Sequence, residues 1–314
     1  MLKSNNSIIL AKVETTSGTD AIPTGAANAI QVSNIEHTPI ASDTVDLPRN
    51  TGYFGHGPQL LINKRVTIAF DVEVSAAGAA DTVPAWAPLL RGCLFNETVT
   101  VGTSVSWSPI TNNAETLTIY VYRDGVVQKL VGCQGTFTLT LSAGGAPSFR
   151  YTFTGSYAGP SDEANPTAAL SAFRTPLAVD FTNATLAIHG YDVVCNEFSI
   201  DIANAVTSTD IIGSNDIVIS ERAPVGSATI DYTTVADKNW IDIARAATGG
   251  PLAFVLGESD GSGGRTAGTI FKVDCPNISL GAPTFGDRDG ILTATIPLRL
   301  VPDAGNDEII ITTQ

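Results

Sequence analysis

Hydrophobic and polar residues alternate along much of this chain with a period of two, the pattern of strands that bury one face. The clearest case is RVTIAFDVEV (65–74): Val66, Ile68, Phe70 and Val72 fall on one side, Thr67, Asp71 and Glu73 on the other. AIQVSNIEHTPI (29–40) predicts an earlier strand. SVSWSPI, TLTIYVYRDGVVQKLVGC and TFTLTLSAGGAPSFRYTFTGSY predict a meander with turns at RDG (123–125) and AGGAP (143–147). NATLAIHGYDVV (183–194), a hairpin over 249–275, the tight turn GDRDG (286–290) and NDEIIITTQ (306–314) continue in the same way. Two stretches follow a helical period instead, PAWAPLLRGCLF and DKNWIDIARAA. Trp86 and Trp240 open them. Leu89, Leu90 and Cys93 follow in one, Ile243, Ala244 and Ala247 in the other, all on one helix face. Asp237 suits a helix N-terminus.

This succession occurs twice. Residues 34–95 predict a strand, a long polar loop, a second strand and a short Trp-bearing helix; residues 196–247 predict the same. Downstream, KLVGCQGTFTLTL (129–141) resembles FKVDCPNISLGAP (271–283), with Cys133 matching Cys275. SFRYTFTGSYAGPSDE (148–163) resembles ILTATIPLRLVPDAGNDE (291–308). The expected organisation is an N-terminal arm (1–30), a first module (31–165), a Pro/Ala-rich linker (166–182) and a second module (183–314). Each module is a β-sandwich or barrel with one short flanking helix. A length of 314 residues suits two domains, each large enough to bury a core.

The stretch 41–64 carries two prolines and three glycines, with Leu47, Arg49, Tyr53 and Phe54 among its residues. Loops this long without regular structure commonly serve a function, and apolar residues on them mark a contact surface. An excursion folded back on its own domain is the alternative. In the second module 205–224 holds the same place, with Asp210, Ile211, Ile212 and Asp216. The 1–30 arm predicts a short strand at SIILAKVE, then extended chain; it either adds to a neighbouring subunit or is a flexible tail. Its low charge favours the first.

Composition supports the β reading: charged residues make up 15%, Gly numbers 29 and Pro 17, and Met occurs once. The net charge is −14. Residues 1–180 hold 10 basic and 14 acidic residues, and 181–314 hold 7 and 17. A duplex carries one negative charge per about 1.7 Å, so such a chain has no electrostatic grip on nucleic acid. Cys93, Cys133, Cys195 and Cys275 sit far apart without metal-ligand spacing, and Cys133 and Cys275, in strand-like stretches, are expected as small buried hydrophobes. No signal peptide or membrane span is expected. His37, His56 and His189 stand alone, GESDGSGGRTAG (257–268) lacks the Lys of a phosphate loop, and Asp287 and Asp289 lack the other ligands of a calcium loop. Neither catalysis nor a cofactor is expected.

ETTSGTDAIPTGAANAIQVSNIEHTP, PAWAPLLRGC, FTGSYAGPSD and DGILTATIPLRLVPDAGNDEIIIT resemble the tail tube (major tail) proteins of long, non-contractile-tailed bacteriophages. The resemblance implies a β-sandwich or barrel that joins sheets around a ring, with rings stacked into a tube for genome DNA. It implies assembly in the host cytoplasm and residence in the virion. Tape-measure, terminator and distal-tail proteins would be its partners. By that likeness 41–64 and 205–224 are ring-stacking loops. A duplicated chain implies three copies per ring. An acidic bore would let the duplex slide, with Glu73 and Asp231 as candidate lining residues. The rival reading, a secreted adhesin or carbohydrate-binding sandwich, calls for a signal peptide, exposed aromatic platforms or calcium ligands, and the sequence offers none convincingly.

Overall fold

The computed structural model describes residues 2–3, 5–50 and 52–314. Its elements begin with β1 (Ser7–Val13), α1 (Gly25–Asn28), β2 (Ala29–Ile30) and the long pair β3 (Ser33–Asp46) and β4 (Gln59–Glu73). The helix α2 (Ala87–Arg91) leads to β5 (Phe95–Thr100), β6 (Ser104–Pro109), β7 (Leu117–Arg123), β8 (Val126–Ser142), β9 (Ser148–Tyr157) and β10 (Ser161–Asp162). Next come β11 (Ala184–Ile188), β12 (Tyr191–Asp192), β13 (Cys195–Asp201), β14 (Asn204–Ile211), β15 (Ser214–Arg222) and β16 (Val225–Asp231). After α3 (Trp240–Ala246), the chain closes with β17 (Gly250–Leu256), β18 (Phe271–Leu280), β19 (Thr284–Arg288), β20 (Ile291–Leu300) and β21 (Ile310–Thr313).

β14 and β15 pair as a separate hairpin, and the other 19 strands form one connected sheet. One run through it is β3-β4-β9-β8-β13-β16-β20-β19, antiparallel throughout. The covering runs are β2-β1-β7-β8-β10 and β12-β11-β17-β18-β21. β8 serves two layers. Its start pairs with β7, its end lies between β9 and β13, and the register shifts between Val131 and Gln134. Gly132 sits at φ 62° in that shift, a conformation that favours glycine, and the bulge lets one strand turn from layer to layer. β21 also pairs with β6, so the C-terminal strand ties the two halves together.

Alternation explains which face closes on the core. Val66, Ile68, Phe70 and Val72 of β4, and Phe149, Tyr151 and Phe153 of β9, are all buried. Phe198 and Ile200 of β13 and Ile296 and Leu298 of β20 repeat the pattern in the second half. The core is continuous across both halves. Trp86 packs on Trp107 at 5.1 Å and Phe149 at 5.5 Å between ring centroids, and on Phe271 of the second half at 6.3 Å. Its Nε1 donates to Ser75 O at 2.8 Å. Trp86→Ala should therefore lower stability by about 3–5 kcal/mol, read as a shift in the urea midpoint.

Three expectations need correction. Among the described residues of 1–30 there is no free arm strand: β1 pairs with β7 from Ser7↔Arg123 to Val13↔Leu117, with Ile9, Leu10 and Ala11 buried. Glu14 then holds the following turn, accepting from Gly18 N (2.7 Å), Thr116 Oγ1 (2.6 Å), Thr118 Oγ1 (2.8 Å) and Gly132 N (2.8 Å). The 166–182 segment is packed chain, with Phe173, Leu177 and Val179 against the core. Finally, the helices are shorter than their periodicity implies. Trp86 caps α2 from outside, and Ala247 is the exposed left-handed cap of α3 at φ 49°. Leu90 and Trp240 are fully buried and Ile243 half-buried against the core.

Candidate assembly interfaces

β4 pairs with β9 only from Arg65 onward. Beyond that point β3 and β4 continue as a two-stranded arm, from Asp43↔Ile62 to Asp46↔Gln59, closed by Leu47 N donating to Pro58 O at 3.0 Å. Half of the expected 41–64 loop is thus hairpin, and 47–58 is its tip. Val45, Leu60, Leu61 and Ile62 are exposed along the arm, and Tyr53 and Phe54 stand almost wholly in solvent at the tip. Leu47 is half-buried and Arg49 exposed. The run Leu60–Ile62 does not alternate with polar residues, which is why period two fails to mark it.

The expected 205–224 loop is also a hairpin, β14–β15, turning at Ile212–Gly213. Ile211 and Ile212 are exposed. The two acidic residues have local duties: Asp210 accepts from Asn63 N of the first arm at 3.0 Å, and Asp216 accepts from Ser214 Oγ. Ser208 Oγ also donates to Asn63 Oδ1 at 2.8 Å, so the arms brace one another. At the base, Asn204 Nδ2 donates to Cys93 O and Gly135 O, both at 3.0 Å. The buried ion pair Arg222–Glu308 (2.5 Å) fixes β15 to the C-terminal segment.

Both arms leave the same end of the sheet. β13 runs up from Glu197↔Ser142 to Asp201↔Thr138 before entering β14, parallel in sense to β3. At the two lateral margins, the outer edges of β3 and β19 have no strand partner among the described residues.

The face of this run turned away from the core is rich in hydroxyls. Ser199 and Ser227 Oγ lie 3.0 Å apart, as do Thr229 and Thr295 Oγ1. Carboxylates on this face (Glu36, Asp71, Glu73, Glu197, Asp201, Asp231) outnumber arginines (Arg65, Arg150, Arg288, Arg299). Arg150 pairs with Glu36 at 2.8 Å and Asp71 at 3.1 Å, and Arg288 pairs with Asp231 at 2.8 Å. Of the two candidate lining residues, Glu73 is exposed, whereas Asp231 is largely neutralised by its arginine.

His37 sits on β3 with Nε2 buried and without a hydrogen-bond partner. Burial, reinforced by Arg123, lowers its pKa from 6.5 to about 4. The unfolded chain takes up this proton near pH 6.5 and the folded chain only near 4, so acidification through that window favours unfolding. The native chain should lose on the order of 1 kcal/mol more than His37→Gln between pH 7 and 4, allowing for partial solvent access. Urea titrations of the two chains check this.

Among the described residues no group of three or more His, Cys, Asp or Glu could hold a metal ion, and no helix is long and apolar enough to cross a membrane. Cys93, Cys133 and Cys275 are buried and Cys195 half-buried, all as free thiols. Burial pushes the Cys195 thiol up to about 12, which leaves it unreactive near neutrality. No curated protein matches the chain. A family model described as phage tail tube protein matches residues 4–300. The chain therefore belongs to the phage tail tube protein family, a structural and non-enzymatic component of the virion whose members assemble into a tube with other tail proteins.

Proposed function

We propose that three copies of this chain close into a ring by pairing β19 of one copy with β3 of the next, and that rings stack through the two arms. The observation that carries this reading is the β8–β13 pairing inside one chain. Strands β3-β4-β9-β8 and β13-β16-β20-β19 have the same internal order: first, second, last, third. The covering runs match as well, with β1, β7 and β8 standing where β11, β17 and β18 stand. This supports a tandem repeat in which β1 belongs to the first module. The β8–β13 joint is then the template for β19 meeting β3 of a neighbour. Two otherwise exposed edges are satisfied, and a head-to-tail contact closes as a ring.

Strand count favours three copies over two. Three chains supply three eight-strand runs. At about 4.8 Å per strand and a tilt of about 40°, such a barrel closes at roughly 50 Å across the backbone. Two chains would close at roughly 30 Å and six at roughly 95 Å. Side chains take about 5 Å from each wall. A duplex with grooves about 8 Å deep on either side is roughly 20 Å across, so it passes three-chain rings with clearance and would jam in two.

The hydroxyl-rich face lines the bore in this arrangement. Serine and threonine keep it wet and offer a duplex neither apolar nor cationic purchase, and the excess carboxylates repel it within a Debye length of about 8 Å. The tube so built is that of a long non-contractile tail, a conduit for genome ejection. Tape-measure protein would occupy it before DNA, with terminator and distal-tail proteins at its ends. Glu73→Lys with Glu197→Lys should slow ejection, and the delay should shrink as salt rises, because added phosphate contacts are salt-sensitive. Unchanged ejection kinetics would count against the lining. Electron microscopy of the purified full-length chain tests the function itself: rings or tubes support it, and monodisperse monomers at every concentration reject it.

A further inference from the structure

At the end of the sheet opposite the arms, an apolar groove of about 470 Å³ opens beside the β8–β13 joint. Leu141 and Ala143 form one wall, and Phe181, Val193, Val194 and Phe254 much of the other. Phe181 and Val194 are exposed large hydrophobics in the single chain. Contiguous apolar surface of this kind marks an interaction site. The groove is held open by ordered backbone: Ala143 N donates to Asn196 O at 2.8 Å, Gly144 N to Val179 O at 2.8 Å, and Asp231 N to Val194 O at 2.9 Å.

We infer that this groove receives the 47–58 tip of a second copy of the chain in the adjoining ring. The inference rests on the proposed stacking and names its receiving surface. Three observations select the occupant. The tip and the groove lie at opposite ends of the same sheet, so head-to-tail stacking brings one ring's tips towards the next ring's grooves. Every chain carries both the tip and the groove, so each copy can give one contact and receive another. The charges are complementary: in a chain of net charge −14, residues 47–58 hold Arg49 and no acidic residue, while Asp180 and Asp192 line the groove and its Arg288 is paired with Asp231. Phe54 enters between Phe181 and Val194, with Arg49 towards the carboxylates.

Placing the photo-crosslinker p-benzoylphenylalanine at position 54 and irradiating assembled tubes of the full-length chain tests the pairing. Peptide mapping should find the adduct within residues 179–198 of another copy. Adducts on the neighbouring 205–224 hairpin or on the outer surface overturn it. As a second test, Phe181→Glu with Val194→Glu changes only exposed side chains. It should keep ring formation and cut tube yield at least tenfold; native tube yield overturns the inference. Absence of any tube from the native chain would instead reject the stacking on which this rests.

Discussion

Replacing residues 48–57 by an Asn-Gly turn should give a chain that folds and closes into rings but no longer elongates. Leu47 N donates to Pro58 O at 3.0 Å, which makes these two a hydrogen-bonded pair, and a two-residue Asn-Gly turn closes such a pair without changing register. Phe54 is fully exposed and Tyr53 nearly so, so their loss should leave the stability of the single chain within about 0.5 kcal/mol. The effect on stacking is far larger. Two aromatic side chains bury about 150–250 Å² each when fully covered, worth several kcal/mol at about 25 cal/mol per Å². Even a third of that, repeated at each copy in a ring, raises the concentration needed for elongation by orders of magnitude. Sedimentation and negative-stain microscopy separate rings from tubes. Long tubes from this variant would remove the tip from the stacking contact.

Asp287→Pro should block ring closure while sparing the monomer. β19 and β20 meet through the two-residue turn Asp289–Gly290, with Arg288↔Ile291 as the closing pair. Antiparallel pairs alternate between hydrogen-bonded and open, and the pair beside such a turn is hydrogen-bonded. Gly286 and Arg288 therefore spend their N–H groups on β20, while Phe285 and Asp287 aim theirs at the free edge. Proline at 287 costs the monomer chiefly the exposed Gly290 N to Asp287 Oδ1 bond of 3.2 Å, about 1 kcal/mol. At each proposed joint it removes a ladder donor and sets a ring against the incoming strand. Light scattering should report monomers with a near-native urea midpoint. Rings persisting in this variant would mean that β19 is not the joint.

Most of the strands were legible because one face of each is buried. The alternation in 65–74 and the Asp124–Gly125 turn, at φ 48° and 95°, needed no tertiary information. The arms were not legible as strands. Their outer ends meet solvent on both faces in the single chain, so no core imposes a period on Leu60–Ile62 or on Ile211–Ile212, although Ile217 nearer the base of β15 is buried. β1 is legible as a strand at SIILAKVE but not as a member of its own chain's core: Ile9 faces the main core while Leu10 faces a second apolar cluster with Tyr120 and Tyr122, so both faces are buried and no alternation marks the sheet it joins. The β8–β13 joint left no mark at all. TFTLTL and FSID each show a strand, but which strands share hydrogen bonds is decided by the fold. The paired state of Asp231 was equally invisible, since Arg288 lies 57 residues away.

The most direct measurement is a cryo-electron microscopy reconstruction of the assembled tube, resolved well enough to trace strands in cross-section. The expected ring holds three chains, with β19 of each hydrogen-bonded to β3 of the next and Glu73 and the Ser/Thr face turned to the bore. Six chains per ring, or β3 and β19 edges left apart, would contradict it.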